Sequence, residues 1–304
     1  MNKLLVILGP NASGKSDLAI AIAKQFSGEI ISADSRQVYR KMDIGTGKVP
    51  RDTKTKTAKK RYYSQGIRHH LLDVVNPDQY FSVVQYQKLA QRAIKDIQKR
   101  RKLPILCGGT GLYLSAIIEG WQFPSVPPNN KLRQELSLLS KQDLYQKLKS
   151  IAPQRAKNID KNNKRRLIRA LEIALSLGEV NPLKKIPPPY NILILGIKRD
   201  KEELKKRIKE RLDKRLAQGM IKEVKKLKED GISSQRLDDF GLEYRWVNRY
   251  LENKISFPEM KEKLLKDIWH YAKRQMTWFK RMKNIHWVQT QEEAISLVKK
   301  WISK

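Results

Sequence analysis

Apolar residues along this 304-residue chain fall into two kinds of run. The first kind is short and continuous: Lys3 to Leu8 (KLLVIL), Glu29 to Ser32, Pro104 to Cys107 and Asn191 to Ile197 (NILILGI). Short apolar runs without alternation, bounded by glycine or proline, read as strands buried on both faces. The second kind recurs at helical spacing. Leu18, Ala19, Ile22 and Ala23 make a stripe over Ser16 to Phe26, and Val84, Leu89, Ala93 and Ile97 make another over Phe81 to Lys99. A third helix is predicted over Leu112 to Ile118. Strand and helix therefore alternate, which predicts a parallel α/β sheet.

The pattern then breaks. Trp121 to Asn130 contains Pro124, Pro127 and Pro128, and Pro182 to Pro189 is a second proline-rich break. Between them Lys131 to Leu177 is helical and basic, with no strand. A helical block bracketed by proline, in a chain that returns to strand at Asn191, predicts a helical insertion over 121–188 within a core of 1–120 and 189–304. The remainder reads as helices over Lys201 to Ala217, Met220 to Glu229, Leu242 to Leu251, Phe257 to Lys280 and Glu292 to Trp301. No internal repeat is visible.

Charge changes the picture most. Lys and Arg number 64 against 31 Asp and Glu, a formal net charge of +33. That exceeds what solubility needs and points to a polyanionic partner, nucleic acid first. Lys48 to His70 holds Lys48, Arg51, Lys54, Lys56, Lys59, Lys60, Arg61 and Arg68 against the single acid Asp52, and reads locally as a solvated loop. The one cysteine, Cys107, excludes an intramolecular disulfide and reads as a buried strand end. No apolar run approaches the ~20 residues of a membrane span, so a cytoplasmic protein is expected.

Gly9-Pro10-Asn11-Ala12-Ser13-Gly14-Lys15-Ser16 matches the phosphate-loop pattern G-x-x-x-x-G-K-[ST]. Its backbone N–H groups wrap an anion, Lys15 reaches the terminal phosphates, Ser16 offers a hydroxyl to Mg²⁺, and the helix that begins there aims its positive end at the same anion. The motif does not say which phosphate compound binds. Asp34 closes the strand 29–32, on the side of the sheet where ligands sit. It reads as a metal-linked acid, a general base, or a turn cap. Asp73 is a second, weaker candidate for a metal-linked carboxylate. Gly108-Gly109-Thr110-Gly111 faces the same crevice, where Thr110 either donates to a substrate or only closes a tight turn. His69 and His70 read as surface or structural residues. Arg207, Arg211 and Arg215, at i, i+4 and i+8, read as one basic helix face opposite Leu204, Ile208 and Leu212, which on local grounds is solvated.

Several blocks together resemble the tRNA dimethylallyltransferase (tRNA isopentenyltransferase) family: GPNASGKS (9–16), ISADSRQVYRKMDIGTGK (31–48), HHLLDVVNP (69–77), PILCGGTGLYLSAIIEG (104–120), KRRLIRALEI (164–173) and YAKRQMTWFKR (271–281). They span nearly the whole chain, and Asp34 to Thr46 is far more specific than the phosphate loop. The resemblance implies a P-loop NTPase-like parallel sheet with flanking helices and an all-helical insertion domain that grips the tRNA anticodon stem-loop. It implies that the loop holds dimethylallyl diphosphate instead of ATP, with Mg²⁺, and that the acceptor is N6 of the adenosine at tRNA position 37, in tRNAs reading codons that begin with U. Asp34 is then the general base, Arg211 a second clamp on the leaving diphosphate, and Thr110 a positioning group. Ser35, Arg36 and Gln37 hold the flipped nucleotide. Arg165, Arg166, Leu167, Ile168 and Arg169, with Tyr244, Arg245, Arg274 and Gln275, belong to the RNA-binding motifs. A monomer of the shorter bacterial form, lacking a zinc finger, is expected.

Two positions depart from the family pattern. Glu243 stands where glycine usually precedes Tyr-Lys/Arg, with Gly241 two residues earlier, and Trp269 stands where an arginine is usual. A free adenine-nucleotide prenyltransferase, a P-loop kinase and a non-catalytic RNA-binding protein are the rival readings. The basic insertion argues against the first, and the presence of both Lys15 and Asp34 against the last.

Overall fold

The computed structural model describes residues 2–53, 61–178 and 184–304. Lys54, Lys56, Lys59 and Lys60 of the basic stretch, and Pro182 of the second proline break, lie outside the described residues. The chain divides into two compact units, Met1–Ile118 with Pro188–Lys304, and Glu119–Pro187.

In the larger unit the four expected strands are β1 (Lys3–Leu8), β2 (Gly28–Ala33), β5 (Leu103–Gly108) and β8 (Asn191–Ile197). They pair in parallel, with β1 between β5 and β8, and β2 on the far side of β5. Leu5 and Ile7 pack on one face of the sheet, and Leu4, Val6 and Leu8 on the other. That two-sided burial is why these strands carry no polar alternation. Helices α1 (Lys15–Gln25) and α13 (Gln291–Ile302) cover the first face. Helices α2 (Val83–Lys99) and α3 (Gly111–Ile118), with Phe279, cover the second.

Three strands of the larger unit's described residues were not legible in the pattern. β3 (Tyr62–Ser64) and β4 (Ile67–His70) form an antiparallel pair that extends the sheet beside β2, and β9 (Ile285–Val288) closes the other edge against β8. Tyr62–Ser64 and Ile67–His70 of the basic stretch are therefore sheet, while the described residues 48–53 are loop. Glu29 of β2 is buried and accepts from His70 Nε2 at 2.7 Å, from Lys102 Nζ at 3.1 Å and from Arg100. Burial opposes its charge, but these donors hold its carboxyl well below the usual carboxylate range. Burial pushes the His69 imidazole down to about 4. Both histidines are thus structural.

Helix α2 begins with a reciprocal capping box between Ser82 and Gln85. Its buried stripe is Tyr86, Ala90, Ala93, Ile94 and Ile97, while Val84 is exposed. The expected stripe shifts at its start because Tyr86 stacks on Tyr113 of α3, centroids 3.8 Å apart.

The C-terminal helices α8 (Lys201–Ala217), α9 (Met220–Glu229), α10 (Ser234–Phe240), α11 (Leu242–Leu251) and α12 (Phe257–Phe279) form a second core. Leu204, Ile208 and Leu212, one face of α8, pack there with Val38, Tyr39 and Met42 from the segment after β2. The segment 34–48 is therefore anchored to the C-terminal helices.

The smaller unit packs α4 (Asn130–Leu138), α5 (Lys141–Ile151), α6 (Pro153–Lys157) and α7 (Lys164–Leu177) around Leu136, Leu144, Leu148, Leu167 and Leu171. A two-residue antiparallel pair, β6 (Trp121–Gln122) and β7 (Lys184–Lys185), ties its two ends together. No described helix is long and apolar enough to cross a membrane.

Candidate active site

The phosphate loop occupies the turn from β1 into α1. Gly14 carries a φ of 93° there, a backbone that side chains rarely adopt. Lys15 folds back over the loop, with Nζ 3.2 Å from the Pro10 carbonyl. Burial, reinforced by the nearby Arg211 guanidinium, lowers its ammonium to about 8. Ser13 Oγ is buried with no hydrogen-bond partner in the protein. A buried hydroxyl without a partner is costly unless a ligand completes it.

Helix α8 lays a row of arginines beside the loop. Each residue advances about 100° around a helix, so Arg207, Arg211 and Arg215 lie beside Leu204, Ile208 and Leu212, not opposite them, and the row is not a solvated face. Arg207 Nε donates to the Ala12 carbonyl at 2.9 Å, Arg211 to the Gly47 carbonyl at 3.4 Å, and Arg215 to the Gly45 carbonyl at 3.2 Å. Arg199 Nε joins them on the Ser13 carbonyl at 3.1 Å. Burial, and then Arg215, lower the Arg211 guanidinium to about 10. A Cβ at Gly47 would come within 2.2 Å of both Arg211 and Arg215, so only glycine lets the two converge.

Asp34 leaves β2 at the carboxyl edge of the sheet. Its Oδ1 accepts from the backbone N–H of Arg36 at 2.8 Å and of Gln37 at 3.3 Å. The turn-cap reading is therefore correct for one oxygen, and neither bond uses Oδ2. Thr110 Oγ1 accepts from the Ser35 N–H at 3.0 Å, while the Thr110 N–H donates to the Ala33 carbonyl at 3.1 Å. The second glycine turn thus brackets Asp34 from both sides. Gln37 takes the Ser32 hydroxyl at 3.0 Å and donates to the carbonyls of Thr46 and Gly47. Asp73 pairs with Lys48, which also holds Asp43, and so belongs to the scaffold of this segment.

The structure adds residues that the pattern did not single out. Glu223 accepts from the N–H groups of Asp43, Ile44 and Gly45 at 2.6–3.0 Å and from the Tyr244 hydroxyl at 2.8 Å. Glu243, the departure from the family's glycine, is buried and takes Arg215 at 2.8 Å. Burial raises its carboxyl, although Arg215 pulls the other way. Gly241, with φ 72°, supplies the turn between α10 and α11. Trp269, the other departure, lies half-buried on the C-terminal core with the ammonium groups of Lys205 and Lys273 over its ring.

Not all the residues expected at RNA face outward. Tyr244 and Leu167 are core residues, because each closes a hydrophobic cluster. Gln275 is buried, and its amide bridges the two glycine loops: Oε1 accepts from the Asn11 N–H and Nε2 donates to the Gly109 carbonyl, both at 2.9 Å. Arg274 is exposed beside the Tyr271 ring. Arg245 donates to the Asp238 carbonyl and Arg36 to that of Asp239. In the helical unit Arg169 pairs with buried Glu172 and donates to the Val126 carbonyl at 2.9 Å. Ile168 is half-buried on the helical core. Arg165 and Arg166 are exposed, Arg166 with Asp160 3.9 Å away.

Residues 37–282 match the family model described as IPP transferase. A tRNA dimethylallyltransferase 2 of Trichlorobacter lovleyi is 42% identical over 304 residues, covering 99% of this chain and 96% of its own. A full-length tRNA isopentenylpyrophosphate transferase of Bacillus halodurans is similar in structure, with a TM-score of 0.71 and 35% identity over 100% of this chain and 96% of that one. A eukaryotic dimethylallyltransferase, solved in snapshots of its action on tRNA, gives a TM-score of 0.81 at 25% identity, over 100% of this chain and 80% of that one. The chain belongs to the IPP transferase family.

Proposed function

We propose that this family member transfers the dimethylallyl group of dimethylallyl diphosphate to N6 of the adenosine at tRNA position 37, in tRNAs reading codons that begin with U. The observation that carries this reading is the pairing of a half-buried cation row with one half-engaged carboxylate. Arg211 and Arg215, held on the carbonyls of Gly47 and Gly45, stand close enough to Lys15 of the phosphate loop to lower its ammonium, while Asp34 presents Oδ2 at the neighbouring strand end. Diphosphate is the leaving group, and its developing charge falls on loop N–H groups and these cations, which are already oriented. An adenine N6 amine is a weak nucleophile that must lose a proton as the C–N bond forms. Asp34 Oδ2 takes that proton, with Oδ1 fixed by its backbone donors and the turn braced by Thr110. The adenosine has to leave its stacked loop to reach this edge of the sheet. Ser35, Arg36 and Gln37 follow the base directly.

Mg²⁺ fits the donor set. The described residues contain no cluster of three acidic, histidine or cysteine ligands, and Ser16, half-buried in the first turn of α1, offers one hard oxygen. Ser16 would hold the ion through its hydroxyl, and the ion would neutralise charge on the leaving diphosphate.

The test is incubation with labelled dimethylallyl diphosphate and Mg²⁺, with either unmodified tRNA or free AMP, followed by nucleoside analysis. N6-dimethylallyladenosine in tRNA alone is expected. Label in AMP alone makes the enzyme a free-nucleotide prenyltransferase, and no label in either, with ATP hydrolysed instead, overturns the reading.

A further inference from the structure

Tyr80 is the most exposed aromatic residue of the described chain, at 76%, yet it is not loose. One face of its ring lies on the Arg236 guanidinium, 4.4 Å from the ring centroid. Arg236 is itself buried and pinned: Nε donates to the Pro77 carbonyl at 2.7 Å, and Nη2 to the Gln79 carbonyl and, at 3.3 Å, to the Tyr39 hydroxyl. Its guanidinium also lies over the Phe240 ring, again at 4.4 Å, and the Tyr39 ring at 5.4 Å, and on Phe240 sits the guanidinium of Arg36 at 5.5 Å. Aromatic and cationic groups thus alternate from exposed Tyr80 through buried Arg236 and Phe240 to half-buried Arg36. The far end belongs to the turn whose backbone holds Asp34. The outer end is a flat ring with a backing fixed by three hydrogen bonds. Exposed Arg40 lies alongside, donating to Asn76 on the Tyr80 loop.

We propose that the solvent-facing side of Tyr80 is a stacking platform for an unpaired nucleobase of the RNA, one flanking the reacting adenosine. The inference rests on the RNA-substrate reading above and adds a subsite to it. A nucleobase continues the plate sequence, since every base has a π face and unpaired bases stack readily on aromatic rings. A ring held rigid before binding loses little entropy when the base arrives. An RNA loop that gives up one base to the crevice gains a replacement stacking partner outside it. The platform reads no base edge, so it tolerates any base.

The test uses an anticodon stem-loop RNA carrying 2-aminopurine in turn at each unpaired position other than the reacting one, titrated with wild-type enzyme, Tyr80→Phe, Tyr80→Leu and Tyr80→Trp. Leucine still covers Arg236 but offers no flat ring. One position is expected to be quenched by wild type and Tyr80→Phe, and to lose that quench with Tyr80→Leu. The affinity of Tyr80→Leu is expected to fall about 5- to 100-fold, the range of one base stack, with the salt slope unchanged because no phosphate contact is removed. If Tyr80→Leu misfolds, Tyr80→Trp decides: its added indole fluorescence is expected to be quenched by RNA. Binding by Tyr80→Leu within twofold of wild type, with the same 2-aminopurine signals, or an unquenched added tryptophan, overturns the platform while leaving the transfer reaction standing. Failure of the wild-type enzyme to bind or prenylate RNA overturns the underlying reading as well.

Discussion

Lys15 and Arg211 are half-buried, their charge disfavoured by partial desolvation and by each other, whereas Arg166 of the helical insertion stands 59% exposed with its nearest acid 3.9 Å away. Both regions are cation-rich, but the cations are arranged for different anions. At the phosphate loop the arginines of α8 donate to the carbonyls of residues 12, 45 and 47, which fixes their direction before any ligand arrives. Such a cluster suits one small, highly charged anion of the right shape. On the insertion, exposed arginines suit a long polyanion, whose binding comes from many weak contacts and counterion release. The same residue type thus supplies precision in one region and reach in the other, and burial decides which.

That contrast is broken most sharply at the acid between the two functions. Asp34→Asn keeps the turn-capping oxygen and removes the proton acceptor. Transfer should fall about 10²- to 10⁴-fold, the usual contribution of a general base, with stem-loop affinity within twofold, checked by single-turnover assays and filter binding. Lys15→Ala removes one donor-side cation. Its kcat/KM for dimethylallyl diphosphate should fall about 10²- to 10³-fold, again without loss of RNA affinity; unchanged kinetics with the diphosphate would remove Lys15 from the donor site.

The pH profile sharpens the same point. The Lys15 ammonium titrates near 8, below its ordinary value, so the free enzyme loses that positive charge as pH rises through about 8. The kcat/KM for the donor should decline toward tenfold per pH unit above that point, and Lys15→Ala should lack the decline. Folding stability moves the other way. Burying the charged ammonium costs stability below about 8, and that cost is relieved as pH rises toward the unfolded value. The smallest effect is expected on the insertion. Arg166→Ala should weaken stem-loop binding only a few-fold and lower the salt slope by about one, with no change in the KM for dimethylallyl diphosphate.

Much of this was legible before the coordinates. β1, β2, β5 and β8 are apolar throughout because both faces are covered, and the phosphate loop and Asp34 follow strand ends directly in sequence. What escaped was decided by tertiary contact. Ile67–His70 forms a strand although its four residues are Ile, Arg, His and His, because buried Glu29 partners Arg68 and His70 and His69 is held by the Ile67 carbonyl. The arginine row of α8 has the spacing of a solvated face, and only its neighbours, Gly45 and Gly47, turn it into part of the site. Glu223 carries no local signal at all, since its partners are three N–H groups about 180 residues away in sequence. Gln275 looked like an RNA contact because it lies in a basic, aromatic motif, but burial makes it the brace between the two glycine loops.

One titration tests the division between buried and exposed cations most directly. The kcat/KM for dimethylallyl diphosphate at saturating RNA, and for the stem-loop at saturating donor, are measured across roughly 50 to 200 mM salt, the range over which phosphate contacts lose most of their strength. A steep log–log fall for the stem-loop and a shallow one for the diphosphate are predicted. Parallel slopes for the two substrates would contradict the account, because they would mean that the cations at the phosphate loop are as open to solvent ions as those on the insertion.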